Sequence, residues 1–331
     1  MNISELSVLE YKQDVNVKAI VNVFLKDKSG VFVNPMKYES LDGSSYFVAR
    51  EGCIEIESGG HTCRQTNGCY IRYVLMALKK IADNLGLTIS IVPIANVEGK
   101  TYYAADGIIL SGPYNSFITS YINNAAEREK IKHLLDIFVA NTAVLLNQKY
   151  KNETIEWRKN FNYNFNIPSA TFLYSGLTNF WFSSYELMSV VYALIRFVSN
   201  VYCQDFIKEY IKTIFSLVNL DDIKRAIETQ DFELAKSNFD KLVPFMCRLA
   251  DTENGNNHYC INKHTINNFN YFISVPMDEW FPNHINAWQN FNSGNGFEKY
   301  LENVVYPERI NTRIKIKPCK LENIWGNSLT T

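Results

Sequence analysis

Glu55 and Glu57 alternate with Ile54 and Ile56 in the segment Cys53-Ile-Glu-Ile-Glu57. In an extended strand, side chains two apart project from one face, so the two carboxylates would stand roughly 6–7 Å apart while the isoleucines bury on the other side. Carboxylates so placed can hold Mg²⁺ together with the phosphates of a substrate. A solvated strand face is the plainer alternative. Glu55 and Glu57 are therefore the metal-ligand candidates. Arg158, in Glu156-Trp-Arg-Lys159 ahead of the alternating asparagine and aromatic run 160–166, is by default a solvated charge beside an irregular loop.

Two other groupings carry ligand-type residues. His61, Cys63 and Cys69 lie close together, but a zinc site needs ligands paired at tight spacing and usually a second pair elsewhere. Cys247, His258, Cys260 and His264 have better ligand types, yet the Asn-Gly loop between them supplies no knuckle geometry. No G-x-G-x-x-G, P-loop, HExxH or G-x-S-x-G motif is present. Gly59-Gly60 and Gly107 read as turn glycines.

The elements that would position these residues begin with strands. Ala19-Ile-Val-Asn-Val-Phe-Leu25 is β-branched and aromatic, the turn cluster Lys26-Asp-Lys-Ser-Gly30 follows, and Val31-Phe-Val33 returns as a hairpin. Residues 45–49 and 53–57 form a second pair around Arg50-Glu51-Gly52. Ile71, Val74, Leu75, Leu78, Ala82 and Leu85 then recur at helical spacing, with Gly86 as the terminator. Residues 87–92 alternate as a strand that stops at Pro93, and residues 102–111 offer one more. Ile131, Leu134, Leu135, Phe138, Val139 and Thr142 mark the core face of a second helix. Residues 172–181 are a strand candidate, Ser183 or Ser184 caps a helix over 185–198, and residues 206–218, 220–229 and 232–246 read as further helices. Short returns between strands favour an α+β fold, a mostly antiparallel sheet with helices packed against it, over a doubly wound one. The domain expectation is residues 1–250 as the α+β domain. Residues 251–331, with Trp280, Trp288 and Trp325, form an irregular aromatic-rich extension packed on it.

With 331 residues, 47% of them hydrophobic, the chain can fill one large core or two modest ones. Its 33 Lys and Arg balance 34 Asp and Glu, which disfavours a phosphate-backbone partner. Seven cysteines, odd in number and without a C-x-x-C pair, suit a reducing compartment. The first residues lack a signal-peptide pattern, and no window is apolar enough for a membrane span.

Several segments together resemble the phage-type carboxylate–amine ligases, amidoligases of the glutamate–cysteine ligase superfamily. Residues 51–60, with the long helix and Gly86-Leu-Thr-Ile-Ser-Ile-Val92 after them, are similar to the strand–helix–strand carrying one of the family's metal-binding glutamates. Glu55 falls at that position, with Glu57 the alternative. Residues 131–147 resemble the helix before the family's arginine-containing segment, which Glu156-Trp157-Arg158 partly matches. Residues 170–187, around Leu177-Thr-Asn-Phe-Trp181, resemble the family strand ending in Leu-Ser-Asn-Phe-Trp and the helix after it, and residues 223–235 resemble a helix downstream. The likeness covers roughly residues 20–250. It implies an antiparallel sheet curved around an active site, as in glutamine synthetase, with helices outside. It also implies a reaction in which ATP phosphorylates a carboxylate and an amine attacks the acyl phosphate, with Mg²⁺ bridging the phosphates and arginines such as Arg158 neutralising the transferring group.

The chain departs from that pattern at three polar clusters. Ile20-Val-Asn-Val-Phe24 stands where the family has an acidic Asp-Pro-Glu-like motif, Ser116-Phe-Ile-Thr-Ser120 lacks the family's histidine, and Leu173 and Ser175 occupy positions of a Glu and an Arg. Removing most of the metal carboxylates and phosphate-binding cations would cost many orders of magnitude in rate. The expectation is therefore a catalytically degenerate amidoligase-like protein, phage-encoded, acting as a structural or binding component of an assembly in the host cytoplasm or the virion. It would have protein partners, no nucleic acid or membrane partner and no cofactor. The alternative is an active ligase that uses Mg and ATP.

Overall fold

The computed structural model describes residues 16–41, 47–58, 64–111, 124–161, 171–203 and 208–252. The segment 116–120, His61 and Cys63, the cluster His258, Cys260 and His264, most of the asparagine run, and Trp280, Trp288 and Trp325 lie outside these residues.

Strand β1 (Asn16–Lys26) is the axis of the sheet. Its β-branched and aromatic residues favour an extended chain, and eleven residues give it length enough for different neighbours at its two ends. Its first part lies between β4 (Cys53–Glu57) and β8 (Asp106–Ser111). Its last residues pair with β2 (Phe32–Val33) and β5 (Thr88–Ser90). Strand β3 (Phe47–Arg50) lies outside β4, and β9 (Phe172–Tyr174) outside β8, giving the order β3-β4-β1-β8-β9. Each of these pairings is antiparallel. A separate hairpin joins β6 (Ile94–Val97) to β7 (Lys100–Tyr103).

The register sorts residues between the two faces. Ile54, Ile56, Val23, Val21, Ala19, Ile108 and Tyr174 share one face, since Ile54 pairs with Val23, Ile56 with Val21, Ala19 with Ile108, and Ile108 with Tyr174. Against it pack helices α1 (Arg64–Asn84), α2 (Ala125–Leu135) and α5 (Tyr185–Cys203). The opposite face carries Lys18, Ile20, Asn22, Glu55, Glu57, Ile109 and Leu173. One continuous apolar core runs from Val17 to Met246 through the first face and the helices.

Helix α2 continues through a π turn, Asp136–Ala140, into α3 (Asn141–Leu146). Every residue from Ile137 to Leu146 is buried, as expected of a helical segment that is apolar almost all round. Helix α4 (Lys151–Asn160) follows, and after α5 come α6 (Lys208–Leu217), α7 (Leu220–Thr229) and α8 (Phe232–Thr252). The helices read over 206–218, 220–229 and 232–246 are thus present as elements over their described residues. Gly86, at φ +71°, ends α1, and the Leu87 amide donates to the Ala82 carbonyl.

Three expectations change. The strand read over 102–111 is two strands: Ala104 and Ala105 break it, and the Ala105 carbonyl accepts from the Asn22 amide. The strand read over 172–181 stops at Tyr174, and Asn179–Ser183 turns as a 3₁₀ helix fully buried under its aromatic residues. Arg158 lies in a helix and is half-buried rather than solvated, because Thr154, Trp157 and Phe161 recur at helical spacing, the first two of them buried. Among the described residues no helix is long and apolar enough to cross a membrane.

Candidate functional site

Glu55 and Glu57 do share one strand face, as their alternation requires. Each has a cation from a neighbouring strand. Arg50 Nη2 lies 2.9 Å from Glu55 Oε1, and Lys18 Nζ pairs with Glu57. The Glu55 side chain is 12% exposed and that of Glu57 53%. Beside them on β1 stand Asn22, directly opposite Glu55, and Ile20, opposite Glu57. Among the described residues no three of His, Cys, Asp and Glu gather closely enough to hold a metal ion.

Arg158 is elsewhere. Strand β4 and strand β9 are three steps apart across the sheet, roughly 14 Å. Arg158 shares its surroundings with Tyr174, whose register places it on the Ile54 and Ile56 side. The three candidate residues therefore do not converge on one site.

What Arg158 lines is a cleft of about 680 Å³ between α2, α4, α7 and β9. Trp157 fixes the helix that carries it: the indole Nε1 donates to the Ala104 carbonyl at 2.7 Å, and its ring stacks on Phe161 at 4.5 Å. Arg158 follows in sequence, and its Nη2 donates to the Gly176 carbonyl at 2.7 Å. Its Nε is shut off from solvent and has no hydrogen-bond partner among the described residues. Burial lowers its pKa from the ordinary value, while Tyr174, Asp136 and Glu228 act in the opposite direction. Arginine still keeps its proton under such a shift, so the group remains a cation.

Asp136 begins the π turn, whose wider loop is closed by the Asn141 amide donating to the Asp136 carbonyl. Its carboxylate accepts from the Tyr174 hydroxyl at 2.8 Å through Oδ1 and from Lys132 Nζ at 2.8 Å through Oδ2. Gly176 makes the first contact possible, because a Cβ there would collide with Cζ and Oη of Tyr174. The walls add Arg128, Glu129 and His133 from α2, Asp221, Lys224 and Glu228 from α7, and apolar surface from Phe172, Leu173, Ile223 and Ile227. His133 Nε2 lies 3.6 Å from Glu129, and Lys224 Nζ 3.9 Å from Glu228.

The cleft thus sets a guanidinium near a hydroxyl and a carboxylate, in a lining that mixes charged side chains with apolar surface. Of its polar residues, only Arg158 stands out in the sequence. Asp136 lies in an apolar helical run and Tyr174 in a strand, and only the tertiary fold joins them. No protein-family model matches the chain, and no curated protein or solved structure does either.

Proposed function

We propose that the chain is a non-catalytic protein with a degenerate amidoligase-like scaffold, phage-encoded, that serves as a structural or binding component of an assembly. The observation that carries the reading is the state of the two glutamates. Each carboxylate faces a strand-neighbour cation, Arg50 or Lys18, so the pair presents little net negative charge to Mg²⁺. Arg158, the one phosphate-neutralising candidate, lies across the sheet and donates to a backbone carbonyl. Leu173, Ile20 and Asn22 stand on the face of Glu55 and Glu57, where the resemblance expects charged groups. The antiparallel sheet with helices against one face agrees in outline with a glutamine synthetase-like fold.

The role in an assembly is tested in the native source. The protein is expected to co-sediment with particles or a large complex through a density gradient. Recovery as a free monomer absent from those fractions would overturn the reading. The alternative, an active ligase acting through an acyl phosphate, finds support only in the partly buried position of Glu55.

A further inference from the structure

We propose that the cleft between α2, α4, α7 and β9 binds a small ligand through a single oxyanionic group, a carboxylate or a phosphate monoester, seated on Arg158. The inference stands apart from the assembly role, and either can fail without the other.

A guanidinium partly withdrawn from water is stabilised by a carboxylate or another oxyanion in direct contact. Among the described residues Arg158 has no such ion pair. The nearby carboxylates make their direct contacts with other groups, Asp136 with Tyr174 and Lys132, Glu129 with His133, and Glu228 more distantly with Lys224, and Asp136 and Glu228 act on Arg158 only through space. Among the described residues Arg158 holds one hydrogen bond, from Nη2 to the Gly176 carbonyl, an acceptor that carries no charge. A bound oxyanion on the cleft side of the guanidinium would supply the direct ion pair that Arg158 lacks among the described residues, in the charge-assisted geometry that arginine forms with planar or tetrahedral oxyanions.

The cleft has the size of a small-molecule site. Its 680 Å³ falls within the range of roughly 300–1,000 Å³ typical of such sites, and its lining mixes charged side chains with apolar surface from Phe172, Leu173, Ile223 and Ile227. Arg128 adds a second, exposed cation at the rim that makes no ion pair among the described residues. The wall carboxylates Glu129, Asp136, Asp221 and Glu228 set the other limit. With Arg128, Lys132, Arg158 and Lys224 they leave the lining close to neutral, so a single negative group is matched better than several. A polyphosphate does not fit that pattern.

Calorimetric titration of the full chain with valerate, δ-aminovalerate and inorganic phosphate tests the proposal. At least one of them is expected to bind, with affinity reduced tenfold or more in Arg158→Gln. The relative affinities distinguish a carboxylate ligand from a phosphate one. Should Arg158→Gln not fold, the Nε–H resonance of Arg158 in the wild-type protein provides the same test, since it must move as the ligand is added. No binding of any of the three at tens of millimolar overturns the proposal. So does binding that Arg158→Gln leaves unchanged, or binding that leaves the Nε–H resonance in place.

Discussion

Tyr174 reaches Asp136 because residue 176 has no Cβ. Two substitutions examine that dependence. Tyr174→Phe keeps the ring and removes the donor to a carboxylate, and is expected to destabilise the protein by about 1–2 kcal/mol in urea unfolding. Gly176→Ala should cost about 1–3 kcal/mol by overpacking the phenol. Because both act on one contact, their costs should fail to add by at least about 0.5 kcal/mol in the double variant. Strict additivity would mean that the glycine does not hold the phenol in place. Cys53 offers a separate check on the Glu55 face. Burial, reinforced by Glu55 and opposed by Arg50, pushes its thiol from 9.0 up to about 12. The fold thus favours the protonated form. That contribution to stability is complete below pH 9 and is lost as pH rises towards 12. At about pH 8, where an ordinary exposed thiol reacts readily, native Cys53 should resist iodoacetamide in peptide mass spectrometry and react on unfolding. Labelling of the native protein at the rate of the unfolded chain would contradict its burial.

Helix α7 forms one wall of the cleft, and its start is set by Asn219, whose side chain accepts from the amides of Asp221 at 2.8 Å and Asp222 at 3.4 Å. Asn219→Ala is expected to lower stability by about 1 kcal/mol, read from thermal unfolding, with secondary structure retained. No change would mean that solvent caps the helix equally well. Most elements were legible because their periods are clean. The alternation of Ile54 and Ile56 with Glu55 and Glu57 yields the correct strand faces, and the helical spacing in 220–229 and 232–246 yields α7 and α8. The sequence was less clear where tertiary contacts interrupt a local pattern. Residues 172–181 are rich in strand-forming aromatics, yet burial of Phe180, Trp181 and Phe182 turns the second half into a 3₁₀ segment. The π turn at Asp136 leaves no mark in an apolar run. The helix bearing Arg158 did carry a signal, the spacing of Thr154, Trp157 and Phe161, masked by the asparagine run that follows.

At the scale of the whole molecule, the sheet separates the residues that a phosphoryl-transfer site would need to unite. Glu55 and Glu57 lie on one face of β4, paired with Arg50 and Lys18, while Arg158 opens onto a cleft beside β9. Strand faces can be read from alternation, but the distance between β4 and β9 depends on a strand order that no local pattern encodes. A sheet so arranged is expected not to bind Mg–ATP. Calorimetric titration of the full chain with ATP in excess Mg²⁺ tests it most directly. No saturable heat is expected at millimolar nucleotide, for the wild type and for Glu55→Gln alike. Saturable, Mg²⁺-dependent binding that Glu55→Gln abolishes would contradict it and restore the ligase reading.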